Sequence, residues 1–142
     1  MASALAIAVL CSVGAHAAWA VTPKEGRYAG EIGAFSISFR VSHGKVTHII
    51  SDFQATLCTG LAPSSEEVFV EFPTLRLRNG HFSGSITSGH PPGLQSRFSI
   101  SGTFRTPTRA AGPFDEHISV PANWGLPQCN ESRAFTAARV GA

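Results

Sequence analysis

The chain has 142 residues, of which 14% are charged and 43% hydrophobic, which is room for one domain. Eleven Lys and Arg face nine Asp and Glu, leaving a formal net charge of +2. With so little basic charge and no clustering of it, the composition argues against a nucleic-acid binder. Fourteen Gly, nine Pro and ten Phe beside a single Met favour turns and strands over helices.

Residues 1–20 combine a short apolar stretch with small residues ending Ala18-Trp19-Ala20, the form of a secretory signal peptide. Cleavage after Ala20 puts the mature start at Val21, with cleavage after Ala17 as the alternative. The n-region has no Lys or Arg, and an uncleaved anchor is the rival reading. His16 and the shortness of the run argue against that anchor, and the rest of the chain holds no apolar run long enough to span a membrane as a helix. Leu10 before Cys11 does not suit a lipoprotein signal. Residues 21–142 then form a single domain with two cysteines, Cys58 and Cys129. An even pair in an exported chain points to one disulfide, closing a loop of about 70 residues that the chain-entropy model values at roughly 4 kcal/mol.

The period of the mature chain is two. Phe35, Ile37, Phe39 and Val41 alternate with Ser36, Ser38 and Arg40, the pattern of a half-buried strand. Ser42-His43-Gly44-Lys45 reads as a turn. Residues 46–57 form a second strand, with Ile49, Phe53, Ala55 and Leu57 expected inward and His48 on the opposite face with Val46 and Ile50. A loop spans 59–65 and a strand 67–72, stopped by Pro73. Leu75 and Leu77 alternate with Arg76 and Arg78 before the tight-turn pair Asn79-Gly80. Strands follow over 81–87, 97–105 (Phe98, Ile100 and Phe104 on one face), 111–120 and 129–139, separated by loops that include Pro91-Pro92-Gly93 and residues 121–128. The class is therefore all-β: an antiparallel meander of eight or nine short strands, forming a barrel or a two-sheet sandwich. Pairing of residues 27–31 with 134–139 removes exposed edges, which favours the barrel.

Gly26-Arg27-Tyr28-Ala29-Gly30 and Gly80-His81-Phe82-Ser83-Gly84 share a pattern, and Gly102-Thr103-Phe104 repeats its first half. Glycine relieves crowding where a sheet bends, and an aromatic ring covers the gap. The order G-x-Y-x-G at Tyr28, V-x-x-G-K-V over 41–46, Cys58, N-G-x-F-x-G over 79–84, I-x-G-x-F over 100–104, Cys129 and F-T-A-x-R over 135–139 resembles a group of small exported bacterial β-domains of unassigned activity. That resemblance implies export, an all-β fold and a Cys58–Cys129 link, and it supplies no catalytic residue.

Chemistry is sparse. No G-x-S-x-G elbow is present; serines and the mature histidines can meet only through the fold. No H-x-H or H-E-x-x-H spacing marks a metal site, and neither metal nor cofactor is expected. Asp115-Glu116-His117 is the densest ligand set. On a strand Asp115 and His117 share a face and Glu116 points away, and the simplest reading is a polar, solvated strand edge. Glu67 and Glu71 read as a charged outer face. Arg76 and Arg78, with Arg97, Arg105 and Arg109, make a basic surface if their strands are neighbours. Trp124 sits in the loop before Cys129, where an aromatic serves as ligand contact or as a lid. Asn130-Glu131-Ser132 fits a glycosylation sequon.

These readings converge on a secreted or extracytoplasmic, non-catalytic binding module. Trp124, Arg76 and Arg78 are the candidate contacts, and a cell-envelope polymer, a surface protein or a small apolar ligand is the partner. The alternatives are a small apolar-ligand carrier with a lipocalin-like or avidin-like barrel, and a hydrolase whose site is not visible in the sequence, for which Asp115, His117 and neighbouring histidines are the only handle.

Overall fold

The computed structural model describes residues 20–54, 67–89, 93, 95–125 and 128–142. Nine strands run in chain order: β1 (Gly26–Ile32), β2 (Phe35–Ser42), β3 (Lys45–Gln54), β4 (Glu67–Phe72), β5 (Leu75–Arg76), β6 (His81–Ser88), β7 (Gln95–Thr106), β8 (Arg109–Ser119) and β9 (Cys129–Gly141). All belong to one antiparallel sheet in the order β4-β3-β2-β1-β9-β8-β7-β6, with β5 also pairing β3. β6 lies beside β4 and β5, so the sheet is nearly closed into a barrel. A two-sheet sandwich does not describe it. The expected seam between the chain's two ends is present: Gly30 faces Ala137, and Ile32 faces Phe135.

Turn chemistry sets the hairpins. His43 and Gly44 join β2 to β3, and Asn79 and Gly80 lead into β6, all four with positive φ, as two-residue turns between right-twisted strands require. Arg78 and His81 exchange backbone hydrogen bonds of 2.8 Å across the second turn.

Alternation fills the interior. One end is closed by rings: Tyr28 stacks on Phe39 at 5.1 Å, and Phe104 meets Tyr28 edge-on at 5.4 Å. Phe82 lies 5.6 Å from Phe39, and its ring covers Gly102 so closely that a Cβ there would fall 2.2 Å from the ring. This is the glycine-and-aromatic pairing expected from the sequence recurrence. The Tyr28 hydroxyl carries one proton and shares it between the carbonyls of Lys24 (2.7 Å) and Pro107 (3.0 Å), tying the segment before β1 to the β7–β8 turn. Burial pushes its phenol pKa up, against a smaller opposite pull from Arg139. Tyr28→Phe is therefore expected to cost about 1 kcal/mol of unfolding free energy in urea with little change of fold; an unchanged midpoint would show that this tie contributes nothing.

Two expectations are corrected. Val46 and Ile49 are both buried, so His48 does not share an outward face with Val46. The cause is a bulge: between the Arg40–Thr47 and Ser38–Ile50 pairs β3 spends one residue more than β2, with His48 at φ 50°, and the inward phase shifts by one. Second, Asp115-Glu116-His117 is not a strand edge. β8 lies inside the sheet between β7 and β9, and Glu116 is only 2% exposed. The side chain of Phe53, residues Ala55, Leu57 and Cys58, the expected 59–65 loop, Pro91 and Pro92, and residues 1–19 of the expected signal peptide lie outside the described residues, as does the Glu67 side chain. Cys129 is the only cysteine among the described residues and packs half-buried against Ile118 and Val120.

Candidate functional site

Small side chains make the outer face of β8-β9-β1 concave. Ala29, Ala111, Thr136 and Ala138 point outward there, and the positions behind them are Gly30, Ala110 and Ala137. The result is an open groove of about 510 Å³. Arg105 and Arg109 flank it, and Glu31 is its one acidic lining residue. Arg105 owes its place to a bulge: Phe104 pairs with Ala110 and Thr106 with Arg109, leaving Arg105 as the extra residue of β7.

A second groove of about 290 Å³ continues the first, sharing Ala29. It runs over β1-β2-β3 and is lined by Arg27, Arg40 and His48, with Ile50 and the well-exposed Val140 as apolar contacts. The His48 bulge that shifts the phase of β3 also presents its imidazole at this groove. The two grooves meet at Ala29 and make one saddle over β8-β9-β1-β2-β3, with Arg27, Arg40 and Arg109 on those strands and Arg105 beside them at the β7 bulge. Cationic guanidinium groups over a shallow, small-residue floor suit an extended anion better than a compact apolar ligand.

The residues singled out from sequence are dispersed. Arg76 lies on β5 opposite Lys45, and Arg78 follows at the turn into β6. β6 stands between them and β7, so they do not join Arg105 and Arg109. Arg97 is near the opposite end of β7. Trp124 is 50% exposed in a short 3₁₀ turn, Ala122–Trp124, at the end of the barrel away from Arg76 and Arg78. Sequence reading missed Arg27, Arg40 and the alanine floor. Alternation marks those positions as outward, but only strand order reveals that they adjoin.

A third, polar depression of about 300 Å³ lies over β7-β8-β9, lined by Arg97, Ser99, Asp115, His117, Asn130 and Ser132 among others. Asp115 and His117 do share this outer face, as expected. Asp115 accepts a hydrogen bond from Ser132, its partner across β9. His117 bonds Asn130 through Nδ1 and Ser119 through Nε2. Asn130, the sequon residue, is thus engaged within the β8–β9 ladder. Among the described residues no group of three or more His, Cys, Asp or Glu is arranged to hold a metal ion, and no helix is long and apolar enough to cross a membrane.

Inside the barrel, beyond the Phe72–Phe114 contact, two inward positions are polar, beside the buried apolar partners Val70 and Phe98. Ser51 follows Ile49 on β3 and Glu116 follows Phe114 on β8, and neither side chain has a hydrogen-bond partner among the described residues. Burial, with a smaller push from Glu131 across β9, raises the Glu116 carboxyl to about 7.

Comparison with protein-family models, with curated proteins and with solved structures finds no match, so the functional reading rests on this geometry.

Proposed function

We propose that the protein is an exported binding module that holds an extended anionic polymer, of the kind found in a cell envelope, across the outer saddle of β8-β9-β1-β2-β3. The observation that carries the reading is the continuity of the two grooves through Ala29 with Arg27, Arg40, Arg105 and Arg109 along them. The saddle suits a chain that lies flat, its charges meeting successive guanidinium groups. The ring-filled interior favours this module over an apolar-ligand carrier, which needs a cavity where Tyr28, Phe39, Phe82 and Phe104 stand. Export by removal of residues 1–20 leaves a mature chain that begins at Val21, which packs against the core. A Cys58–Cys129 disulfide belongs to the same reading. Intact mass of the secreted protein tests both, with cleavage before Val21 and a mass two hydrogens below the reduced chain as the expected result.

Calorimetric titration with a polyuronate tests the binding surface. Each exposed arginine–carboxylate contact contributes roughly 0.7 kcal/mol, so Arg105→Ala with Arg109→Ala is expected to weaken binding about tenfold. Arg76→Ala with Arg78→Ala is the charge-matched control and leaves affinity unchanged. Equal losses from both pairs would reduce the effect to net charge, and no measurable binding by the unaltered protein would overturn the assignment.

A further inference from the structure

We infer that Ser119 is an activated nucleophile, with His117 as its general base and Asn130 as the residue that positions the imidazole, and that it reacts with acyl or phosphonyl electrophiles such as activated esters. This site stands apart from the saddle and does not depend on its ligand.

The arrangement comes from strand register. His117 and Ser119 are two apart on β8 and so share the outer face, and His117 faces Asn130 directly across β9. Ser119 Oγ lies 2.9 Å from His117 Nε2. On the other side of the ring Nδ1 meets Asn130 Oδ1. With a carbonyl oxygen at Nδ1, that nitrogen carries the proton, and Nε2 keeps a lone pair to accept from the serine hydroxyl. Nucleophile, base and orienting group are then in sequence, the relation that defines a serine triad independently of fold and chain order. Arg97 is the cross-strand partner of His117 on β7 and lines the polar depression together with His117 and Asn130. Ser119 is the last residue of β8, on the outer, solvent side, so an electrophile reaches it without opening the barrel.

The step balances simply. Ser119 Oγ attacks the electrophilic carbon or phosphorus as its proton passes to His117 Nε2. The new oxygen–carbon or oxygen–phosphorus bond forms, and the bond to the leaving group breaks with its electron pair. With an ester the imidazolium protonates the departing alkoxide, and water then hydrolyses the acyl-serine by the same route. With a fluorophosphonate, fluoride leaves and the adduct persists.

The test is covalent labelling of the full secreted protein with an alkyl fluorophosphonate, read by peptide mass mapping. Ser132 serves as the internal reference, since it bonds Asp115 and no imidazole. Labelling at Ser119 is expected to outpace Ser132 at least tenfold within the same molecules. It should fall about a hundredfold in His117→Gln, the range over which a general base acts. Asn130→Ala should slow it about tenfold, and Asn130→Asp, which still accepts from Nδ1, should restore it; a merely structural role for Asn130 would not produce that rescue. Equal labelling of the two serines, or Ser119 labelling that survives His117→Gln, overturns the inference. The Ser119-to-Ser132 ratio in the unaltered protein does not depend on how any variant folds.

Discussion

Glu116→Gln is expected to raise the unfolding free energy at pH 8 by up to about 3 kcal/mol and to leave it nearly unchanged at pH 4. The carboxyl is 2% exposed, and neither oxygen has a hydrogen-bond partner among the described residues. Its cross-strand neighbours are Phe98 on β7 and Glu131 on β9, and neither stabilises a negative charge. Desolvation, helped by Glu131, therefore raises its pKa from 4.5 in the unfolded chain to about 7 in the fold. The sign follows. Below about 4.5 both states hold the proton and the group costs nothing as a charge. Between 4.5 and about 7 the unfolded chain ionises while the folded one keeps its proton, so stability falls as pH rises. Above 7 both are ionised, and the full penalty is present. Glutamine removes this slope without changing shape. The difference between the two proteins in urea midpoint, measured at pH 4, 6 and 8, isolates the effect because other groups cancel. A constant difference across that range would mean that Glu116 is solvated or paired in the fold.

That carboxyl also shows where sequence reading stops. The meander, the two tight turns and the β1–β9 seam follow from alternation and turn residues, because both are local: Phe35-x-Ile37-x-Phe39-x-Val41 and Asn79-Gly80 carry their own instructions. The placement of Glu116 away from Asp115 and His117 follows from the same rule. What lies on each side of the strand does not. Glu116 reads as solvated until β7 and β9 are known to cover β8. Likewise His48 breaks a period of two by one residue, and nothing in Val46-Thr47-His48-Ile49 announces a left-handed residue there. The saddle is the largest gap. Arg27, Arg40, Arg105 and Arg109 come from four strands, and only the order of those strands makes them neighbours. The Ser119–His117–Asn130 relay is hidden for the same reason, since Asn130 joins through register rather than spacing.

The seam that closes the meander should tolerate no added side-chain atom at Gly30. Gly30→Ala is expected to cost more than about 3 kcal/mol, enough to lower the melting temperature by about 10 °C or more. A Cβ at Gly30 would stand 1.7 Å from the Thr136 carbonyl oxygen and 2.6 Å from the Ala137 Cα. Both are backbone atoms of β9, so no side-chain rotation can clear them; β1 and β9 must separate. Their ladder from Tyr28–Arg139 to Ile32–Phe135 is what joins the first strand to the last. Gly141→Ala is the matched control, because a Cβ there meets nothing within 4 Å, and it should melt with the unaltered protein. If Gly30→Ala melts there too, β1 and β9 are farther apart than a closed seam allows. The same glycine lines the larger groove beside Ala29 and Ala137. The approach of backbones that closes the barrel thus also leaves the floor of the saddle bare of side chains. The two glycines of Gly26-x-Tyr28-x-Gly30 bracket a tyrosine that anchors the closed end, and the second of them lets the chain's ends meet. A substitution that opens the seam should therefore lose stability and polymer binding together, whereas Tyr28→Phe should lose only the first.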